Sequence, residues 1–332
     1  MALSWQFLTE AYKKAKVEDY FLNKTFGKVK QFSPLLQVKV RLESGAMTIA
    51  SLGKIGDPPN AVKASSTVTE TTLSPAQIFE YDTITEEDVF TATNPSLIAI
   101  AGIEDVISNK EYIRGLKIEE LKRRVERRKE LMFAQILSSG QISYNDGVRS
   151  YSVNFNISSE SYTLSSTTKV YSDLLSYADA MRKNGHNPDT ILITPNVEAA
   201  LLANNQIKDA VNSQTFALAQ MQMNTYVNAR DVIQLRGLPK IVVYMGSYTD
   251  SSGNAQDYIS GDKIILADST AFRLSFGAIQ NYNISENPVM GEVFSWEEIV
   301  NRGTEKAIFV LTRPLPYVVS SDAVKILNVT IS

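Results

Sequence analysis

One uninterrupted helical signal constrains this chain more than any other feature. From Ser108 to Ser138, the residues Ile118, Leu121, Val125, Met132 and Ile136 mark a single stripe at helical spacing. A helix of that length rises about 1.5 Å per residue and spans roughly 45 Å, which makes it a spine rather than a core helix. It ends at Ser138-Ser139-Gly140, where a glycine can take the left-handed stop. Ten of the twelve residues Glu119–Glu130 are charged. Spacings of three and four allow the pairs Glu119–Arg123, Glu120–Arg124 and Glu126–Lys129, so the run reads first as a salt-bridged solvent face. The functional alternative is a charge network between subunits, or weak contact of Lys122, Arg123, Arg124, Arg127, Arg128 and Lys129 with phosphates.

Around this spine the composition is that of a folding chain. The 332 residues are 44% hydrophobic and 21% charged, enough for two or three domains. A net charge of −3 argues against a surface devoted to nucleic acid or anionic lipid, so any such contact is local. With no cysteine, disulfides, thiolate nucleophiles and cysteine-based metal sites are excluded, and a single histidine, His186, leaves little acid–base chemistry. Met1-Ala2-Leu3-Ser4-Trp5 lacks the features of a signal peptide, so a cytoplasmic chain is expected. The longest apolar run, Leu97 to Ile103, is too short to cross a membrane.

Before the spine, Leu8, Ala11, Tyr12 and Ala15 predict a short amphipathic helix. An apolar cluster, Tyr20–Phe26, follows, and Leu36–Leu42 alternates with the period of a strand. From Glu43 to about Thr85 the chain is Ser/Thr-rich and punctuated by Gly45, Gly53, Gly56, Pro58, Pro59 and Pro75. Its β-forming segments Thr67–Thr72 and Ile78–Ile84 favour a long two-stranded excursion over a floppy linker. Such a hairpin is marginal alone and needs a neighbour to lie on.

After the spine, Asp146-Gly147 between two alternating runs predicts a hairpin over Ile142–Val153. Helices are expected over Tyr171–Arg182 and from Pro195, with a buried strand at Thr190–Thr194 between them. Lys240–Tyr244 and Asp257–Ile259 flank an apparent hairpin turn at Asp250–Asn254. Lys263–Ala267, Ala307–Thr312 and Val324–Ile331 read as further strands, giving a mixed α+β chain without internal repeats.

The search for chemistry returns little. No Gly-x-Gly-x-x-Gly or Walker loop exists, and Gly-x-Ser-x-Gly is absent. His186 sits in a Gly-His-Asn-Pro turn and reads as a solvated loop residue. Asp250–Asp257 lacks the ligand order of a calcium loop. The adjacent acids Glu86-Glu87-Asp88, Glu119-Glu120 and Glu297-Glu298 are the only candidates for carboxylate catalysis, and nothing in the sequence places two of them across a cleft. No catalytic, cofactor-binding or metal-ligating residue is assigned.

Four local patterns, in order, carry a resemblance. They are Asp19–Phe26 leading into Val38–Leu42 and Ser44-Gly45, and the strand-to-helix joint Ile191–Leu202. The third runs through Ile241–Tyr248, Ile264–Asp268 and Phe276–Ile279, and the fourth is Arg313-Pro314-Leu315-Pro316-Tyr317-Val318-Val319 with Asp322-Ala323-Val324. Over nearly its whole length the chain resembles the major capsid proteins of tailed bacteriophages, specifically the lambda-type (gpE-like) family.

That resemblance implies the capsid fold shared by tailed phages and encapsulins. It would comprise an N-terminal arm and first strand (1–42), an extended loop (43–85), a peripheral domain (86–155 with 280–332) and an axial domain (156–279). It implies self-assembly as pentamers and hexamers into an icosahedral shell around double-stranded DNA, in the cytoplasm of a host bacterium. The implied partners are a portal, a scaffolding protein, a head protease, a decoration protein and packaged DNA, contacted non-specifically, with no membrane. Because the family-like segments begin by about Asp19, the scaffold is expected from a separate gene. Lys54 and Lys63 lie in the loop, but lysine–asparagine cross-linking is not expected of this family. Two alternatives stay open: an encapsulin-type compartment with the same fold, and a carboxylate-dependent enzyme using Glu297 and Glu298.

Overall fold

The computed structural model describes residues 4–45, 66–85, 88, 103–145, 150–212, 226–231, 235–250, 252–301 and 305–332. The chain enters through helix α1 (Trp5–Lys14), where the Ser4 hydroxyl accepts from the Phe7 amide. The apolar cluster after it forms a second helix, α2 (Phe21–Phe26). Strand β1 (Lys30–Phe32) follows, then β2 (Val38–Gly45), which pairs antiparallel with β3 (Ser66–Leu73) along its full length. Residues 46–65 between them, including Lys54 and Lys63, lie outside the described residues. Strand β4 (Ile78–Ile84) does not complete the excursion with Thr67–Thr72, as the composition favoured. It leaves the hairpin because Ile78 and Ile84 alternate with Phe79 and Tyr81, giving a two-faced strand with apolar partners elsewhere in the chain.

The spine, helix α3, runs from Ile103 to Ser139, and its 37 residues span about 55 Å. Every residue of the expected stripe, Ile118, Leu121, Val125, Met132 and Ile136, is buried. The solvent-face reading is corrected at Lys129 and Glu130, which are also buried. Gly140 closes the helix at φ +71°. The hairpin follows as β5 (Gln141–Asn145) paired with β6 (Ser150–Asn154), and its expected Asp146-Gly147 turn lies outside the described residues.

The next segment builds a six-stranded sheet. In chain order come β7 (Ser159–Leu164), α4 (Val170–Lys183), β8 (Thr190–Ile193), α5 (Pro195–Ala203), α6 (Asn205–Asn212), β9 (Ala229–Asp231) and β10 (Lys240–Tyr244). A small hairpin, β11 (Ser247–Thr249) with β12 (Ala255–Asp257), precedes β13 (Lys263–Ala267). The expectation that Lys240–Tyr244 pairs across the Asp250–Asn254 turn is corrected: β10 lies parallel to β8 inside the sheet, and the turn belongs to β11 and β12. Ile191, Ile193, Ile241, Val243, Ile264 and Leu266 face α4, α5 and α6, while Leu192, Val242 and Ile265 face the core around α3. A sheet covered on both faces needs unbroken apolar runs, which is what Thr190–Ile193, Ile241–Tyr244 and Ile264–Ala267 supply.

The rest of the chain adds β14 (Phe272–Phe276), β15 (Ile279–Asn281), β16 (Ser285–Val289), β17 (Phe294–Val300), β18 (Glu305–Thr312), β19 (Pro314–Val318) and β20 (Val324–Ile331). One three-stranded sheet has the order β1-β14-β19, and the other β17-β18-β4. Pro314 and Pro316 are tolerated because β19 is an edge strand. At the β17 edge, α1 supplies Thr9, whose hydroxyl accepts from the Ser295 amide at 3.0 Å. β20 crosses into the six-stranded sheet between β7 and β13, in order β7-β20-β13-β8-β10-β9, and so parts company with the other strands after residue 280. Helix α3 packs against β4 and β18 of one sheet and β13 and β20 of another, which ties them into one body.

At the end of the spine, a Cβ at Gly140 would sit 3.0 Å from Ile157 Cβ and from its carbonyl oxygen, in a backbone region disfavoured for side chains. Gly140→Ala is expected to lower the unfolding free energy by about 2 kcal/mol in urea titrations followed by circular dichroism.

Candidate functional site

The charge run on α3 is where the arm docks. Helix α2 has no side-chain cap of its own, because Tyr20 occupies the capping position. Its first amides are satisfied from far along the chain. The Glu130 carboxylate accepts from Leu22 N at 3.0 Å and Asn23 N at 2.8 Å, and Asn228 Oδ1 accepts from Phe21 N at 3.1 Å. Asn228 Nδ2 and the Tyr244 hydroxyl also donate to Glu130 Oε1, at 2.8 and 2.9 Å. Burial pushes the Glu130 carboxyl above the usual range, while these four donors oppose it by favouring the anion.

Two turns earlier, Lys122 Nζ donates to the carbonyls of Lys13 and Ala15 at the end of α1, at 2.9 and 2.7 Å. A carboxyl group thus meets the N-terminus of one arm helix and an ammonium the C-terminus of the other. Lys129, buried between Glu126 (2.7 Å) and Glu292 (3.3 Å), joins Lys30 through Glu292 and ties the arm to the loop before β17. These two carboxylate–lysine contacts hold Glu292 below its ordinary value despite burial. Of the expected pairs, Glu126–Lys129 forms and Glu119–Arg123 is marginal at 4.0 Å, whereas Arg124 reaches Glu80 on β4 instead of Glu120.

Two surfaces are only partly covered among the described residues. The β2–β3 hairpin pairs only with itself; its root is held by buried Val38 and Val40, while Glu70, Thr71 and Thr72 stand exposed. The second surface is the β4 end of the sheet face turned away from α3, whose β17 end is covered by Trp5, Ile279, Ile284 and Val289. There Trp296 stacks on Phe309 at 5.3 Å, Phe79 on both at 5.8 and 5.7 Å, and Tyr81 on Phe309 at 5.3 Å. The ladder ends in solvent, with Phe79 49% and Tyr81 60% exposed on a strand whose outer edge is unpaired. Large exposed aromatics beside an open edge are the usual marks of a surface awaiting another chain.

The sequence-based candidates for chemistry do not converge. Glu297 and Glu298 point to opposite faces of β17, as neighbours in a strand must. Glu297 is held by Arg114 (3.3 Å) and Lys306 (3.5 Å), and Glu298 accepts from Trp296 Nε1 and Asn283. Glu119 and Glu120 serve Arg123 on the helix surface. Asp88 caps Thr85, and Glu86 and Glu87 lie outside the described residues. Asp250 closes its turn by accepting from the amides of Ser252 and Asn254. His186 is not a free loop residue: Nε2 lies 3.1 Å from Ser320 Oγ, and Nδ1 lies 3.8 Å from Asp268, beyond hydrogen-bond range. The Ser320 oxygen caps the turn at Asp322, and Asp268 accepts from Asn187 and Thr270, so the three act as a structural pin. Among the described residues no group of three or more His, Cys, Asp or Glu is placed to hold a metal. No described helix is long and apolar enough to cross a membrane.

The family model described as phage major capsid protein E matches residues 4–329. The chain belongs to that family. This capsid protein is accordingly a shell-forming head protein, a homo-oligomeric component of the virion capsid. Solved structures agree on the fold. A prophage protein of E. coli CFT073 described as a capsid protein superposes with a TM-score of 0.67 at 14% identity, covering 99% of this chain and 100% of that one. A phage-related protein of Bordetella bronchiseptica RB50 gives 0.52 at 10% identity, over 99% and 98% of the two chains. The capsid of cyanophage P-SCSP1u gives 0.51 at 10%, over 96% and 90%. No curated protein sequence matches significantly.

For this capsid protein the arm junction depends on Glu130. Glu130→Ala strands two backbone and two side-chain donors at about 1–3 kcal/mol each before relaxation, so a loss of about 3–5 kcal/mol is expected, with faster amide exchange at Leu22 and Asn23. Because the folded carboxyl titrates above its unfolded value, its contribution is full below about pH 4.3 and fades as pH rises. The stability difference between wild type and Glu130→Gln, which cannot lose a proton there, should therefore narrow from pH 4 to pH 7.

Proposed function

We propose that the subunits associate as pentamers and hexamers of an icosahedral shell enclosing double-stranded DNA, and that the aromatic ladder of Phe79, Tyr81 and Phe309 is one of the surfaces joining them. The observation that carries this reading is the pair of exposed aromatics, Phe79 and Tyr81, on a strand edge unpaired among the described residues, in a chain whose β2–β3 hairpin pairs with no other described strand. A neighbour's hairpin laid over the ladder would bury aromatic area worth about 25 cal/mol per Å² and offer backbone groups to the unpaired edge of β4.

On this reading the chain divides into an arm and first strand (1–42), an extended loop (43–85), a peripheral domain (86–155 with the strands from 280) and an axial domain (156–279). β20 is the segment that ties the closing stretch back to the axial sheet. The reading includes a separate scaffolding protein, a portal, a head protease and a decoration protein as partners, and assembly in the host cytoplasm.

Negative-stain microscopy of the purified protein, with and without neighbouring gene products, tests it directly; small discrete particles under every condition would overturn it. Phe79→Ser/Tyr81→Ser is expected to give a soluble subunit with native circular dichroism that forms no shells. Deleting Gly53–Pro75 should do the same, and normal shells from that deletion would refute the loop's role.

A further inference from the structure

Between the arm and the spine lies a cavity of about 730 Å³, within the range of ordinary ligand sites. Seven lysines and four carboxylates line it, in a chain whose net charge is −3. All four carboxylates are already committed. Glu18 pairs with Arg123 at 3.2 Å and Asp19 with Lys24 at 3.0 Å, while Glu126 and Glu292 hold Lys129, and Glu292 also holds Lys30. The lysines are not all committed in return. Lys16 and Lys28 are exposed and have no carboxylate partner among the described residues. Lys122 lends its ammonium only to two carbonyls and to the face of Tyr12, 5.6 Å from the ring centroid. Burial lowers its proton affinity, with Lys129 and Lys24 acting in the same direction and Glu126 and Glu292 opposing it.

We propose that this cavity binds a phosphate-bearing polyanion, with Lys16, Lys28 and Lys122 converging on its phosphates. A lysine ammonium is a compact point charge suited to phosphate oxygens. A volume of about 730 Å³ has room for several linked phosphates. The phosphates belong either to a free oligophosphate or to the backbone of duplex DNA, and only the second source rests on the shell reading above.

The test uses the purified full chain with inorganic tripolyphosphate by titration calorimetry, and a short duplex DNA by fluorescence anisotropy at about 50 and 200 mM salt. Lys16→Ala/Lys28→Ala is compared with Lys183→Ala/Lys208→Ala, which changes the net charge equally away from the cavity. The cavity variant is expected to weaken tripolyphosphate at least about tenfold and to reduce the salt slope of DNA binding by about two, with the control unchanged. Competition between the two ligands assigns the site to DNA phosphates, whereas tripolyphosphate binding without competition assigns it to a free oligophosphate. Equal weakening by both variants, or no tripolyphosphate binding at low salt, overturns the proposal. Shell formation by the same variants, followed by microscopy, separates its failure from failure of the shell reading.

Discussion

The structure hangs on a carboxylate buried in the middle of a helix. Glu130 is the acceptor on which the arm, the spine and the six-stranded sheet meet, through α2 amides, Asn228 and Tyr244. Burying a carboxyl group is costly unless its oxygens are hydrogen-bonded, and here four donors reach them, three at Oε1 and one at Oε2. The same geometry explains why α2 can be a helix at all. Six residues are too few to hold a helix in water, and FLNKTF offers no cap of its own, so its first turn exists only where Glu130 and Asn228 supply the acceptors. Lys122 completes the logic at the other end of the arm by taking the terminal carbonyls of α1.

How much of this could be read from the sequence depended on whether a segment carried its own signal. The spine was legible because its stripe repeats over many turns. The strands at 190–193, 241–244 and 264–267 were legible because two covered faces leave no polar alternation. Helix α2 was illegible for the opposite reason, its cause lying a hundred residues away. β19 was hidden by prolines that only an edge position tolerates, and the partner of Ile78–Ile84 was misjudged because composition says nothing about which strand lies alongside. The resemblance to tailed-phage capsid proteins supplied the order of parts, and the match over residues 4–329 bears it out.

The junction itself left a trace that composition obscured. Ten charged residues among twelve look like a solvated face, yet Lys129 falls four residues after Val125 and three before Met132, on the buried stripe. Glu130 stands three before Phe133 and seven before Leu137, both fully buried. Helical phase, rather than charge density, was the signal. In Glu297-Glu298, phase in a strand likewise separates two adjacent acids onto opposite faces and removes them as a catalytic pair.

The arm is therefore held by buried polar groups in addition to the apolar burial that also holds the sheets, with consequences for a subunit that must join others. The sheets are joined to the spine by apolar burial, which is insensitive to salt. The arm buries Leu8, Leu22 and Phe26 against the spine in the same way and adds the polar contacts of Glu130 and Lys129, which lie inside, where screening by ions is weak. Exposed pairs such as Arg124–Glu80 and Lys24–Asp19 contribute little by comparison. An arm fixed in this way keeps its place at physiological ionic strength and delivers Phe32 and the β2–β3 hairpin from a rigid root. The ordering entropy of that root is then already spent when a neighbour arrives.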